Sequence, residues 1–273
     1  SNNGLGIASV ASNAKLLIVK VGADNNSTTI YRGYEGIKYA ADNGARIINC
    51  SWSGPGGGGY GEDIINYALS KGCLVIAAAG NENSNIQEFP ALYPGVMAVA
   101  SVDYLDKKSS FSNYGSHIAI SAPGEIFTTA NGNKYVFVRG TSFSAPLVAS
   151  AAALVSARFP AYDMNQVREQ LRVTADNIDA INPNYAGLLG KGRLNVFRAV
   201  SESSPSIRNQ KITLFDKGKG SIPPGDTLRL FFDLKNFLSA ANGLIVRLSS
   251  SNPDILILDA QLTAGNVGMG ELK

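Results

Sequence analysis

Cysteine, histidine and tryptophan are scarce in this 273-residue chain, which has two cysteines, one histidine and one tryptophan. Two cysteines do not amount to a disulfide framework, and they argue against catalysis by a thiol or a metal thiolate. Charge is also thin. Charged residues make up 16% of the chain, below the roughly 25% usual for soluble domains, while hydrophobic residues reach 45%, the balance of a globular protein. The net charge is only +3, and Lys and Arg are scattered without a block, so no electrostatic footprint for nucleic acid is present. No apolar stretch approaches the roughly 18 residues that span a bilayer, so no membrane span is expected. Nothing at the start reads as a signal peptide, and the chain is expected to be a mature or truncated soluble protein. Glycine, by contrast, is plentiful: 29 residues imply many tight turns and close backbone approaches.

Strand and helix patterns alternate through the first two hundred residues. Lys15 to Val21 is a compact apolar run that reads as a buried strand. Ile30, Tyr34, Ile37 and Ala41 follow at helical spacing, with a stop near Gly44. Arg46 to Ser51 reads as a strand, Glu62 to Ser70 as a helix ending near Gly72, and Cys73 to Ala79 as a strand that is apolar throughout. Such alternation implies an α/β fold, a parallel sheet with helices on both faces. Val96 to Ser101 and His117 to Ser121 add strands. Ala130 to Asn133 reads as a hairpin turn between Ile126-Phe127-Thr128 and Tyr135-Val136-Phe137. Helices are expected from about Ser142 to Arg158 and from Asp163 to Ala175.

The pattern changes at Ser201-Glu202-Ser203-Ser204-Pro205, a polar stretch with a proline break, which places a domain boundary between residues 1–201 and 206–273. Beyond it Leu228, Leu230, Phe232 and Leu234 alternate, as do Leu244, Val246 and Leu248. This predicts an all-β, immunoglobulin-like sandwich with about four or five strands, against the roughly seven of a complete one, so a truncated domain is expected.

The segment with most chemical content is Gly140-Thr141-Ser142-Phe143-Ser144-Ala145-Pro146. A serine in the first turn of a helix has backbone N–H groups and the positive end of the helix dipole at hand for an oxyanion formed when it attacks a carbonyl. Pro146 is expected to be tolerated so early because its missing N–H would have no partner within the helix. A plain Ser/Thr cap is the bland alternative for such a segment taken alone.

In this context the sequence resembles the subtilases, the subtilisin-like serine peptidases, from Ser1 to about Val200. Gly140-Thr141-Ser142 with Pro146 resembles the family's nucleophile motif, and Ala77-Ala78-Ala79-Gly80-Asn81-Glu82 its oxyanion strand and turn. Ile47 to Gly54 is similar to the substrate-binding strand, and Phe111-Ser112-Asn113-Tyr114-Gly115 through Ser121-Ala122-Pro123-Gly124 to the block between. Gly190-Lys191-Gly192-Arg193-Leu194-Asn195 resembles the closing motif. The resemblance implies that Ser142 is the nucleophile and that the Asn81 amide with the Ser142 N–H forms the oxyanion hole, supported by Gly140 and Thr141. It implies that Ser51, Trp52, Ser53 and Gly54 pair with an extended polypeptide substrate. Ala78, Ala79 and Gly80 would then wall the pocket for the residue before the scissile bond, with room for a sizeable side chain.

A nucleophilic serine needs a general base oriented by a carboxylate, and here the chain departs from the pattern. His117 lies in a block that carries no catalytic residue in the family and reads as an edge or surface histidine. Asp42, Asp63, Asp103 and Asp106 sit in no matching context. The family's Asp and His motifs would precede Ser1, so an upstream segment or fragment carrying them is expected as a partner, and this chain alone is expected to be inactive. Phe143-Ser144-Ala145 and Leu147 are smaller departures, and Ser144 is expected to pack near the helix start.

No cofactor is required by this reading. Asn2-Asn3-Gly4-Leu5 resembles a loop that supplies calcium ligands in many subtilases, but it has no carboxylate, so a site would need upstream ligands and no metal residue is assigned. Cys50 and Cys73 are expected to be buried, unpaired thiols. Gly54-Pro55-Gly56-Gly57-Gly58-Gly59 formally matches a dinucleotide-binding pattern, but so many glycines satisfy it cheaply. The family implies a secreted serine endopeptidase. The rival is a catalytically incomplete or pseudopeptidase module that binds peptide or serves structure.

Overall fold

The computed structural model describes residues 6–24, 26–215 and 223–273. It divides into two compact units, Ser1–Glu202 and Ser203–Lys273.

The first unit is built on a parallel sheet of four strands, β3 (Ile47–Cys50), β4 (Leu74–Ala78), β5 (Met97–Val102) and β6 (Ile118–Pro123), in the order β3-β4-β5-β6. Because side chains alternate across a strand, β4 sorts its residues by parity. Val75 and Ala77 pack with Ile37, Ala40 and Ala41 of α1 (Gly33–Asp42) and with Ile64, Ile65 and Ala68 of α2 (Gly59–Ser70). Leu74, Ile76 and Ala78 pack on the other face with Ala145, Val148, Ala152 and Val155 of α3 (Thr141–Arg158) and Val167 and Leu171 of α4 (Met164–Val173). Both faces are therefore covered, which is why β4 is apolar throughout and fully buried. The α/β reading holds.

The alanines of α3 let it lie close to the sheet. Asp163 starts α4 with a capping box: its carboxylate accepts from Gln166 N at 2.8 Å, and Gln166 Oε1 accepts from Asp163 N at 3.0 Å. The hairpin forms as β7 (Glu125–Ala130) and β8 (Lys134–Arg139), with Asn133 and Gly132 at φ 56° and 75° in its turn. The closing motif runs beside β6, where Ser121 N donates to Gly192 O at 2.8 Å and Leu194 N to Ser121 O at 2.7 Å. Asn195 then caps α5 (Val196–Ser201) through Arg198 N.

One strand expectation fails. Lys15–Val21 forms no ladder, and Leu16 and Ile18 are each 81% exposed. Only one side of the run is engaged: Val21 and Val19 lie against Gly36 of α1. An apolar run becomes a strand only when a neighbour pairs with its N–H and C=O groups, and among the described residues the parallel sheet ends at β3 without taking up this segment. The next residues form a small antiparallel pair, β1 (Gly22–Ala23) and β2 (Asn26–Ile30), so Ile30 belongs to a strand and not to the helix.

The second unit, taken by itself, holds two antiparallel pairs, β9 (Ile207–Phe215) with β10 (Arg229–Asn236) and β11 (Ala241–Arg247) with β12 (Gln261–Val267). It is a partial all-β structure. Buried Asn236 ties it together: Oδ1 accepts from Ser206 N at 3.2 Å, and Nδ2 donates to Ser239 O at 2.8 Å and Val267 O at 3.0 Å.

Candidate active site

Open parallel sheets receive ligands at the carboxyl ends of their strands. At that edge Ser51 follows β3, Ala79-Gly80-Asn81 follows β4, Gly124 follows β6, and Gly140 opens α3. Hydrogen bonds draw these segments together. Gly140 N donates to Gly124 O at 2.9 Å, Gly80 N donates to Thr141 Oγ1 at 3.2 Å, and Ser51 Oγ donates to Ser142 O at 2.8 Å.

Asn81 is oriented by Thr141. Its Oδ1 accepts from Thr141 N at 2.8 Å and from Thr141 Oγ1 at 3.0 Å. A backbone N–H can only donate, so the atom facing it is the carbonyl oxygen, and the Asn81 amide nitrogen is the end left for another acceptor. Gly80 makes the turn possible: φ is 104°, and a Cβ there would meet the Glu82 and Glu88 carboxylates at 2.8 Å and run into the Asn113 amide. Gly140, at φ 149°, turns the chain from β8 into α3. Ser142 is half-buried, whereas Ser144 is fully buried with its Oγ donating to Ala122 O at 3.0 Å.

Pro146 is accommodated differently from the expectation. The helix begins at Thr141, so a residue at 146 would normally donate its N–H to the Ser142 carbonyl. Proline leaves that carbonyl free, and the Ser51 hydroxyl takes it. The segment after β3 is thereby fastened to the serine turn. Along that segment Trp52, Ser53 and Gly54 are half-buried; the Trp52 ring meets Tyr34 edge-on at 5.6 Å, and Gly54 exchanges backbone bonds with Phe89 at 3.0 and 2.9 Å. Ala78 and Ala79, at the end of β4, are buried.

Asn113 was given no separate role by the sequence, yet it templates the whole turn. It is fully buried. Its Nδ2 donates to Ala79 O at 3.2 Å and Glu82 Oε2 at 2.7 Å, while its Oδ1 accepts from Glu82 N at 3.0 Å and Ser84 N at 3.1 Å. Its own N–H reaches Gly80 O at 3.1 Å. Glu82 Oε2 in turn accepts from Asn81 N at 2.8 Å. The available signal was an asparagine within an otherwise small and apolar block.

The remaining candidates lie elsewhere. His117 precedes β6 while Gly124 follows it, so a six-residue strand separates them, about 20 Å at 3.3 Å per residue. His117 is half-buried just before β6, an edge strand of the sheet; both its ring nitrogens are buried without hydrogen-bond partners, and burial lowers its pKa. Asp103 Oδ1 accepts from Leu105 N and Lys107 N, and Asp106 pairs with Arg193 at 3.3 Å. Asp42 pairs with Lys38 on the surface, and Asp63 is exposed on α2. Cys50 and Cys73 are free and buried; burial pushes the Cys50 thiol up to about 12. In the glycine loop, Gly58 N donates to Tyr93 Oη at 3.0 Å and the Phe89 ring packs on Gly57, so this backbone is engaged within the protein. Asn2-Asn3-Gly4-Leu5 lies outside the described residues. Among the described residues no group of three or more His, Cys, Asp and Glu side chains could hold a metal ion, and no helix is long and apolar enough to cross a membrane.

Fold and site together define an α/β domain with a serine at the start of a buried helix and an oriented asparagine beside it. The chain belongs to the subtilase family, whose profile matches residues 1–198. It is 41% identical over 193 residues to a thermostable alkaline protease of Halalkalibacterium halodurans, covering 70% of this chain and 54% of that protein. It is 39% identical over 201 residues to thermitase of Thermoactinomyces vulgaris, covering 73% of this chain and 70% of that one. The chain thus spans about half the length of the first of these relatives. Among solved structures, the patellamide maturation protease PatA superposes with a TM-score of 0.67 at 31% identity, over 73% of this chain and 78% of that one. A protease from Pseudoalteromonas arctica superposes with a TM-score of 0.66 at 30% identity, over 73% and 66%.

Proposed function

We propose that this chain is the nucleophile-bearing part of a serine endopeptidase. The observation that carries the reading is the pair of bonds from Thr141 to Asn81 Oδ1, which present the amide nitrogen of Asn81 beside the serine turn. In this mechanism Ser142 Oγ attacks a peptide carbonyl, and its proton passes to a histidine held by a carboxylate. The oxygen of the tetrahedral intermediate is met by the Asn81 amide and the Ser142 N–H, at the positive end of α3. Collapse expels the amine, protonated by the same histidine, and leaves an acyl-enzyme on Ser142 that water hydrolyses. Ser51 to Gly54 would pair with the extended substrate, and Ala78 to Gly80 would wall the pocket before the scissile bond. The reading requires no cofactor, and a calcium site at Asn2-Asn3-Gly4-Leu5 would need upstream ligands. Release from the cell, as a secreted enzyme, is part of the same proposal.

The position of His117 favours a second statement within this reading. The chain's single histidine is a strand length from Ser142, so base and acid come from an upstream segment or fragment, and the chain alone is inactive. Fluorophosphonate labelling with mass spectrometry of the denatured sample tests both statements. The expected result is no label on the chain alone and label on Ser142 once the Asp- and His-bearing segment is supplied. No label on Ser142 with that segment assembled would overturn the peptidase reading in favour of a peptide-binding or structural module. Label on the isolated chain would overturn the need for a partner.

A further inference from the structure

Glu88 is a buried carboxylate that none of the preceding chemistry uses. It is 8% exposed, and its Oε2 is buried without a hydrogen-bond partner. Its place in the fold is specific. The neighbouring Phe89 pairs with Gly54 through both backbone groups, at the end of the segment Ser51 to Gly54. On the other side Glu88 Oε2 lies 2.8 Å from where a Cβ on Gly80 would stand, at the end of the wall Ala78 to Gly80. Glu88 therefore spans the floor between the two segments assigned to the substrate.

A second carboxylate reaches the same spot, since Glu82 Oε2 is also 2.8 Å from that Cβ position. Glu82 Oε2 is occupied by Asn81 N at 2.8 Å and Asn113 Nδ2 at 2.7 Å, whereas Glu88 Oε2 is not. Two acidic groups beside each other, one with an unpartnered buried oxygen, form an environment that favours an incoming positive charge.

We infer that the pocket walled by Ala78 to Gly80 takes a cationic side chain, lysine or arginine, of the polypeptide substrate, with Glu88 as its counter-ion. The proposal rests on the peptidase reading and names the specificity of that same site. A side-chain ammonium or guanidinium fits because a single carboxylate can serve as its counter-ion through one or two charge-assisted hydrogen bonds, its other N–H groups being free to find further acceptors. A calcium ion does not fit as well, because it takes six to eight oxygens and Glu82 has already spent one of its own. The nearby lysine on the same block cannot fill the place: Lys108 Nζ donates to Asn83 Oδ1 at 2.7 Å, Ser109 O at 2.9 Å and Ser112 O at 3.0 Å.

The test is binding of para-aminobenzamidine, read by its fluorescence, with para-aminobenzamide as the neutral twin. It needs no turnover. The protein is expected to bind the amidine at least about tenfold more tightly than the amide, the worth of one charge-assisted hydrogen bond. Glu88→Gln is expected to erase that difference, and Glu88→Lys to abolish amidine binding, with folding of each variant checked by circular dichroism. Equal binding of amidine and amide to the wild-type protein would overturn the proposal without reference to any variant. So would a saturable calcium site, lost in Glu88→Gln, that binds where the amidine does not. Amidine selectivity without fluorophosphonate labelling of assembled Ser142 would remove the peptidase reading and leave the cation pocket. Labelling without amidine selectivity would do the reverse.

Discussion

Replacing Asn113 with alanine removes the template on which the Asn81 turn is built. The change deletes five side-chain hydrogen bonds, to Ala79 O, Glu82 Oε2, Glu82 N, Ser84 N and, at 3.5 Å, Ser84 Oγ. Their cost is unequal. Ala79 is fully buried, so its carbonyl suffers the full penalty of an unmet acceptor, while Glu82 is exposed and Ser84 half-buried, so water replaces part of what their N–H groups lose. With about 1–3 kcal/mol for each buried polar group left bare, the sum is about 3 kcal/mol. That is a large share of the roughly 5–15 kcal/mol that holds a domain together, yet it leaves the protein folded. Urea denaturation followed by tryptophan fluorescence is well suited to the measurement, because the single tryptophan, Trp52, lies in the first unit and next to the site. A loss below about 1 kcal/mol would refute the claim that Asn113 organises the turn. Asn113→Asp is a useful comparison: it keeps the acceptor for Glu82 N and Ser84 N but sets a carboxylate against Glu82, so its deficit should shrink as pH falls towards about 4.

Ser51→Ala leaves the Ser142 carbonyl without its partner, and a loss of about 1 kcal/mol is expected in the same urea titration; no loss would show that the proline-freed carbonyl needs no acceptor. His117 has a lowered pKa in the folded protein, so as pH falls through the unfolded value near 6.5 the unfolded chain takes up a proton first and stability drops, until the folded pKa is passed. The wild-type protein should therefore lose more stability than His117→Phe between about pH 7 and 5, and parallel curves would contradict the burial argument. Cys50, fully buried with its thiol pushed up to about 12, should resist a thiol-specific disulfide reagent in the native protein and react once urea unfolds it; prompt native reaction would contradict the packing. Asp163→Ala removes the carboxylate half of the α4 capping box, the acceptor for Gln166 N, and should cost about 1 kcal/mol in thermal or urea denaturation, with an unchanged midpoint as the contrary result.

The sequence by itself determined the parallel α/β sheet, because strands buried on both faces must be apolar throughout and the helices between them carry their own period. It also singled out Ser142 and Asn81 as candidates, since each stands in a short run whose order along the chain is distinctive. Three matters were decided only by tertiary structure. Lys15–Val21 has the composition of a strand, but a strand exists only where a neighbour supplies hydrogen bonds, and no sequence window contains that neighbour. Pro146 looked harmless from its place near a helix start; the carbonyl it strands is repaired by Ser51, 91 residues away. Asn113 and Glu88 look like ordinary polar residues along the chain. One turns out to satisfy an entire turn and the other to be a buried carboxylate with an unpartnered oxygen, because burial and the directions of hydrogen bonds are properties of how distant segments meet.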